Sequence, residues 1–474
     1  MTDDGRLEAT EVAEHSLLPV PVRARTSTAA HQFWIWTGAN VAPINWVLGA
    51  LGINLGLSLW QTVAVLVVGN VVGMAVFGLF VLMGQGTGVS QMVLSRAAFG
   101  RRGAYLPAVL QGLLAAGWCA VNTWIILDLV VALFGRLGYH GGTGFKIVVA
   151  AVIMGAQVWI AAVGFRAIAR FERWTVPVTL LVLAAMTVIA WSSTGVHWGY
   201  GGKGLHGAEL WSAMSTVMTA IGIGWGITWF AYASDYSRFV PPTMPRRKLY
   251  LASVLGQFVP TVWLGVFGAT LATVSQAVDP GELVVQAFGA LAIPVILLVI
   301  HGPIATNILN IYSCGLCAQT VDWRVDRRRL SYGVGVVAFA FTVFLIVQGN
   351  FAEALDGWLA GLVTWVAPWA AIMLIHYYWR ARRKVDVDPL FDPPGRARIT
   401  DVSWPALVAF VLGMVATWSC EYGIPSFLQG PVAVAAGGVD LSWLAGSAVA
   451  AGAYLALLRT RRSAPAPADV PEAA

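Results

Sequence analysis

Twelve runs of about twenty apolar residues, parted by short loops whose charge alternates, constrain what this chain can fold into more than any other feature. The runs are 31–54, 58–83, 104–135, 146–165, 174–195, 211–234, 250–274, 285–316, 331–349, 356–379, 403–427 and 437–458. A helix needs about 20 such residues to cross the hydrocarbon core. With a cytoplasmic N-terminus, alternate loops and both tails face inward, and they hold 26 of the 29 Lys and Arg. Only Arg136, Lys146 and Lys203 fall outside them. A missed or invented span would scramble this bias downstream, so it supports the span count and cytoplasmic termini together.

Composition agrees. Charged residues make up 11% of the chain and hydrophobic ones 58%, against about 25% charged in soluble domains. Such a chain faces lipid over most of its surface, and we read it as a multi-pass protein of the plasma membrane. The net charge of +6 is a topology signal, and nucleic-acid binding is not needed to explain it. The first 30 residues are polar and show no cleavable signal peptide. The domain reading is a cytoplasmic tail 1–30, five helices in 31–195, five in 196–379, a cytoplasmic loop 380–402, two helices in 403–458 and a disordered tail 459–474.

Several function classes are disfavoured. Apart from Lys146 at the first position of 146–165, no span holds Lys or Arg, and a voltage sensor requires an Arg-rich helix. No pore loops or rings of like charge suggest a channel. His301 and His376 stand alone, so an intramembrane enzyme lacks a clustered catalytic set. Cys119, Cys314, Cys317 and Cys420 lie in or beside apolar runs and read as small buried hydrophobes; no metal or cofactor is expected. Asp128 and Glu421 stay unassigned.

Transporter sites near the membrane midplane are often built from interrupted helices in matching places of two halves. Span one contains Gly38-Ala39-Asn40-Val41-Ala42-Pro43-Ile44-Asn45, where Pro43 removes a backbone donor. Span six contains Gly222-Ile223-Gly224-Trp225-Gly226, whose glycines weaken helical continuity. We expect unwinding in both; the plainer alternative for the glycines is close packing. Spans one and six open two five-helix units, and the odd number puts the copies in opposite orientation. In span eight, Thr306, Asn310 and Ser313 share one helical face, with Asn307 turned from it by about 100°. They read as a ligand or ion site, with interhelical bonding as the alternative. In span three, Trp118 and Asn122 lie one turn apart. An indole gives a stacking surface and a carboxamide gives a donor and an acceptor, which suits a planar polar heterocycle. The alternative is that both serve helix packing.

Gly117-Trp118-Cys119-Ala120-Val121-Asn122, Tyr232-Ala233-Ser234-Asp235-Tyr236, Asn307-Ile308-Leu309-Asn310-Ile311-Tyr312-Ser313 and the loop Gly88–Gly100 together resemble the purine–cytosine permeases of the nucleobase–cation symporter family. The resemblance runs over about 30–460. It implies an all-α membrane fold of twelve helices: a five-plus-five inverted repeat of the LeuT kind with two extra C-terminal helices. It implies a base held between Trp118 and Trp225, with Trp229 as the competitor, and read by Asn122, Asn307 and Asn310. It implies a cation site, for H+ or Na+, at Thr306 and the backbone carbonyls near Ala39 and Ala42. Ala305 stands where sodium-coupled relatives often carry a second hydroxyl, which raises the odds of a proton; Leu309 stands where several fungal relatives carry Pro. Asn40 and Glu172 are candidates for gating or structural roles. The expected activity is import of cytosine or purines by cation symport with alternating access, by a monomer. Carriage of a hydantoin, allantoin or an amino acid on the same fold is the alternative.

Overall fold

The computed structural model describes residues 18–462 apart from 164, 194, 275–283, 286–288, 324, 326, 349–350 and 424. Side chains are described for most of these, but not for 162–175, 351–356 and a few single positions. The expected tail 459–474 and segment 1–30 therefore lie largely outside the described residues.

The described elements are helical, apart from one isolated bridge between Tyr422 and Gln429. They run α1 Ala29–Asn40, α2 Ile44–Asn54, α3 Leu59–Thr87, α4 Gln91–Phe99, α5 Tyr105–Arg136, α6 Thr143–Val163 and α7 Phe165–Ser193. The chain continues as α8 Gly207–Phe230, α9 Ala233–Ser237, α10 Arg246–Ala272, α11 Ala292–Thr320 and α12 Arg327–Gln348. It ends with α13 Phe351–Leu374, α14 Trp404–Ser419, α15 Pro431–Ala435 and α16 Ser442–Arg462. Among the described residues, nine helices are long and apolar enough to cross a membrane, and α2 and α14 are shorter apolar helices. Large apolar side chains on their outer faces, such as Trp60, Trp159, Val188, Phe344 and Val347, are exposed, as lipid contact requires.

Boundaries shift in places. Span eleven stops at Ser419, eight residues short of the expected end, because the chain turns there and Gly430 N–H bonds the Glu421 carbonyl. The helix of span eight continues to Thr320.

Span one is interrupted as expected. α1 ends at Asn40, α2 starts at Ile44, and Val41, Ala42 and Pro43 between them are not helical. Pro43 has no N–H for the Ala39 carbonyl four residues back. The stump is sealed by Asn45, whose Nδ2 donates to the Asn40 carbonyl at 2.6 Å.

Span six is not unwound, which corrects the expectation. α8 stays helical through a π turn at Met218–Gly222. Its glycines serve close approach instead. A Cβ on Gly226 would lie 2.5 Å from the backbone of Gly73, and one on Gly69 would lie 2.5 Å from Gly222, so α3 and α8 cross backbone to backbone. A Cβ on Gly224 would meet the Thr219 carbonyl at 1.7 Å, the crowding that the π turn itself creates. Asn70 of α3 donates to the Ile221 carbonyl in that turn at 2.9 Å.

α11 lies against α5 and α1, and α10 packs on α1, α2 and α3. Gly302 allows the first contact: a Cβ there would lie 2.2 Å from the Val41 carbonyl. The break in span one thus faces the polar stretch of α11.

Candidate functional site

The break, α5, α8 and α11 enclose a small cavity. Trp118 and Asn122 come to it from α5, and Trp225, Thr228 and Trp229 from α8. Tyr232 stands just past the end of α8, Thr306 and Asn310 project from α11, and Ala39, Ala42 and Ile44 flank the break. Every wall residue is uncharged. The space is ≈ 10 Å³, room for the centre of about one water molecule.

Eight of the expected site residues meet here: Trp118, Asn122, Trp225, Trp229, Asn310, Thr306, Ala39 and Ala42. Trp225 and Trp229 both form wall, so they are not competitors for one place. The indoles do not stand parallel with a slot between them. Trp118 and Trp225 meet edge to face, with centroids 5.6 Å apart and planes at 84°. A flat molecule fits between these two rings only if their planes part and turn.

Asn40 holds one of these rings. Its Oδ1 accepts from Trp225 Nε1 at 2.7 Å and from Thr261 Oγ1 at 3.3 Å, while its Nδ2 donates to the Trp36 carbonyl at 2.8 Å. Asn307 does not reach the cavity, which corrects its expected role as a direct reader. It faces α5 and α6 instead, as its turn of about 100° from Thr306 allows. Its Oδ1 accepts from Asn122 Nδ2 at 2.9 Å. Its Nδ2 donates to Gln157 Oε1 at 2.9 Å and to the Cys119 carbonyl at 3.1 Å. Asn122 therefore both lines the cavity and bonds a neighbouring helix.

Thr306 Oγ1 lies 3.4 Å from the Ala39 carbonyl oxygen and 3.1 Å from that of Gly302. The Ala39 oxygen is the one Pro43 leaves without an N–H. Two uncharged oxygens beside a helix break can hold a monovalent cation or a proton-bearing group. The Glu172 side chain lies outside the described residues. Glu421, left unassigned by sequence, accepts from Thr364 Oγ1 at 3.2 Å. Among the described residues, no group of three or more His, Cys, Asp or Glu is placed to bind a metal.

Sequence reasoning missed Tyr232, Thr228 and Gln157. Tyr232 Oη donates to Asn310 Oδ1 at 3.0 Å. In the sequence it stands only as part of the motif Tyr232-Ala233-Ser234-Asp235-Tyr236. Gln157 lies in α6 beside the Asn122–Asn307 pair, and its position in a long apolar run was the available signal. Below the cavity, Asp235 accepts from the Gln91 backbone N–H at 2.9 Å and from Ser313 Oγ. That joins the start of α4 to α9 and α11.

A buried cavity with a neutral, aromatic and amide wall, set at a helix break in a bundle of long apolar helices, defines a membrane carrier for a small uncharged solute. The chain belongs to the family described as permeases for cytosine/purines, uracil, thiamine and allantoin, which it matches over residues 19–446. It is a permease and not an enzyme. Its relatives include the putative purine-cytosine permease YxlA of Bacillus subtilis, 26% identical over 95% of this chain and 97% of that protein. The purine-cytosine permease fcyB of Emericella nidulans is 24% identical, covering 94% of this chain and 88% of that one. The allantoin permease of B. subtilis is 24% identical over 96% and 95%. Among solved structures, the fold matches Mhp1, a nucleobase-cation-symport-1 family transporter, in a closed conformation with bromovinylhydantoin bound. The TM-score is 0.75, at 18% identity over 94% of this chain and 96% of that one. The inward-facing form of Mhp1 overlays with a TM-score of 0.69.

Proposed function

We propose that the chain is a secondary active transporter that imports a neutral nucleobase, cytosine or a purine, by cation symport with alternating access. The observation that carries this reading is the cavity wall: three indoles and two carboxamides, with no charged side chain, around the break in span one. Stacking on indole suits any planar base, and the amides read its edge. The base sits between Trp118 and Trp225 once their planes part, and Asn122 and Asn310 bond its polar edge. Asn307 supports Asn122 from behind, and Asn40 supports Trp225.

The coupling cation, H+ or Na+, occupies the contact between the break and α11, at Thr306 and the carbonyls of Ala39 and Ala42. The 3.4 Å between Thr306 Oγ1 and the Ala39 oxygen supports this. Ala305 brings no second hydroxyl, which favours the proton. The full reading is twelve spans in the plasma membrane, two inverted five-helix repeats with two further C-terminal helices, both termini cytoplasmic, and a monomer. Helical counterparts to all twelve runs and the charge pattern support it. One bundle rocks against the rest to move the cavity's opening from one side to the other.

An allantoin or hydantoin carrier is the second reading, favoured by the relative that is an allantoin permease and the hydantoin-bound neighbour. A thermal-shift screen of the purified chain decides. Cytosine, adenine, guanine, uracil, allantoin, hydantoins and amino acids are each added, with and without sodium and at two pH values. A true ligand at 100 times its Kd stabilises by about 2.7 kcal/mol. Stabilisation by allantoin or a hydantoin with none by any base, or by amino acids alone, overturns the nucleobase reading.

A further inference from the structure

Both carboxamides at the cavity are held from behind. Tyr232 Oη donates to Asn310 Oδ1 at 3.0 Å. That leaves Nδ2 as the free end of the Asn310 amide, and it is buried with no partner among the described residues. On the facing wall, one N–H of Asn122 Nδ2 is given to Asn307 Oδ1, so Oδ1 is the end of the Asn122 amide turned away from that partner. Asn307 cannot turn round to reverse this, because its Nδ2 donates to the Cys119 backbone carbonyl, and a carbonyl only accepts. The wall carries two more donors. The indole N–H groups of Trp118 and Trp229 are also buried without a partner among the described residues. Three unpartnered donor nitrogens thus belong to wall residues, against one amide oxygen.

We propose that Tyr232 is a positioning residue that sets the sign of hydrogen bonding at Asn310, so that the site selects a planar heterocycle by its in-plane acceptors. Those acceptors are ring nitrogens and carbonyl oxygens. The proposal rests on the nucleobase reading and deepens it. An amide is nearly symmetric in shape, so only its partner decides which end faces a ligand. Turning Asn310 over would make its Nδ2 donate to Tyr232 Oη, leave the Tyr232 proton without that acceptor and aim an oxygen at the ligand's acceptor. A ligand lacking the acceptor leaves a buried donor unpaired, and the energy of such a group corresponds to a loss of about tenfold or more.

The test uses the purified full chain and a base that binds it, together with a set of deaza analogues of that base, each with one ring nitrogen replaced by C–H. Dissociation constants come from competition against the radiolabelled base. The wild-type chain binds the base at least about tenfold more tightly than one or more analogues. Tyr232→Phe keeps the ring and the wall, weakens the base, and leaves that analogue unchanged, so the ratio falls to within about threefold. Asn310→Ala flattens the ratio to the same value, and the double variant adds nothing further, as two members of one interaction require. A general packing defect would weaken base and analogue alike. If Tyr232→Phe keeps the tenfold ratio, the proposal is overturned. If that variant shows no unfolding transition, Asn310→Ala decides, and a preserved ratio there overturns it as well. A wild-type chain that binds bases with no preference over any analogue overturns this proposal alone. A wild-type chain that binds no base overturns the nucleobase reading and this proposal with it.

Discussion

Pro43 and Asn40 act on the cavity without offering it a polar side chain. Pro43 withholds an N–H from the Ala39 carbonyl, and Thr306 stands 3.4 Å from the oxygen so released. Replacing Pro43 with Ala restores the donor and lets α1 run on. We expect the ion concentration for half-maximal uptake to rise about tenfold, one hydrogen bond's worth of lost coordination. Uptake against sodium at fixed pH, and against pH at fixed sodium, measures it; an unchanged ion dependence in both sinks the assignment. Asn40 is the acceptor for the buried Trp225 indole N–H. Asn40→Ala leaves that group unpaired at a cost of about 1–3 kcal/mol. Base affinity is expected to fall by about tenfold, read by equilibrium titration, and an affinity within twofold of wild type would refute the link. At this scale Trp118, Asn122, Thr306 and Asn310 were legible in sequence, because hydrogen-bonding side chains in an apolar run need protein, ligand or water around them. Asn307 was misplaced by one turn of reasoning. Its residue type was informative, but which neighbour filled the space on its side of α11 was not.

Among the helices, α8 shows how one local pattern serves two architectures. Alternate glycines weaken a helix in isolation, yet here they let α8 lie against α3 with almost no side chain between them. The tight crossing recovers in packing what the glycines lose in propensity, and the π turn finds its partner in Asn70. Gly73→Val pushes a branched side chain into the Ile223 carbonyl, 2.9 Å from the Cβ position. Overpacking of this kind costs about 1–3 kcal/mol. The melting temperature of the purified protein is expected to fall by several degrees, while Gly201→Val, with nothing within 4 Å, leaves it unchanged. Equal melting temperatures for the two variants would refute the crossing. Span one was read correctly because a proline inside a helix has one outcome for its backbone partner. Span six was not, because a glycine permits both unwinding and close approach, and only the neighbouring helix selects between them.

Across the whole molecule, the end of the bundle that carries the basic loops is tied together by buried charge. Arg96 donates to the Thr320 and Leu390 carbonyls at 2.6 and 2.7 Å. Arg101 Nη2 meets Asp322 Oδ1 at 2.7 Å, and Tyr105 donates to the same carboxylate. Burial alone would raise the Asp322 pKa. The hydrogen bonds from Arg101 and Tyr105 and the charges of both arginines outweigh it and hold the carboxyl below its usual range. A depressed value stabilises the fold above the unfolded pKa of about 3.9, and that contribution is lost as pH falls through the lower folded value. The wild-type melting temperature is therefore expected to drop more steeply below pH 4 than that of Asp322→Asn. At neutral pH the variant is less stable by about 1–3 kcal/mol, between a surface pair and a buried one. Asn tolerates the left-handed backbone at this position, where φ is 61°. Parallel acid profiles for the two proteins would refute the assignment. The cavity offers ≈ 10 Å³ to the centre of a water molecule, so the proposed binding of a base between Trp118 and Trp225 requires those rings to part. Addition of a transported base is expected to change tryptophan fluorescence, and Trp118→Phe together with Trp225→Phe to abolish most of that change. A full response in the double variant would place the movement elsewhere.

By itself the amino-acid order determined the long helices, the break at Pro43 and the residues from which a site would be drawn. These follow from transfer of apolar side chains to lipid and from backbone hydrogen bonding, both of which act locally. Only the tertiary structure decided that α8 stays whole, that Asn307 stands behind Asn122, and that Tyr232 aims the Asn310 amide. Those outcomes depend on which helix lies opposite, since a glycine or a carboxamide accepts several partners and its neighbours in space choose among them.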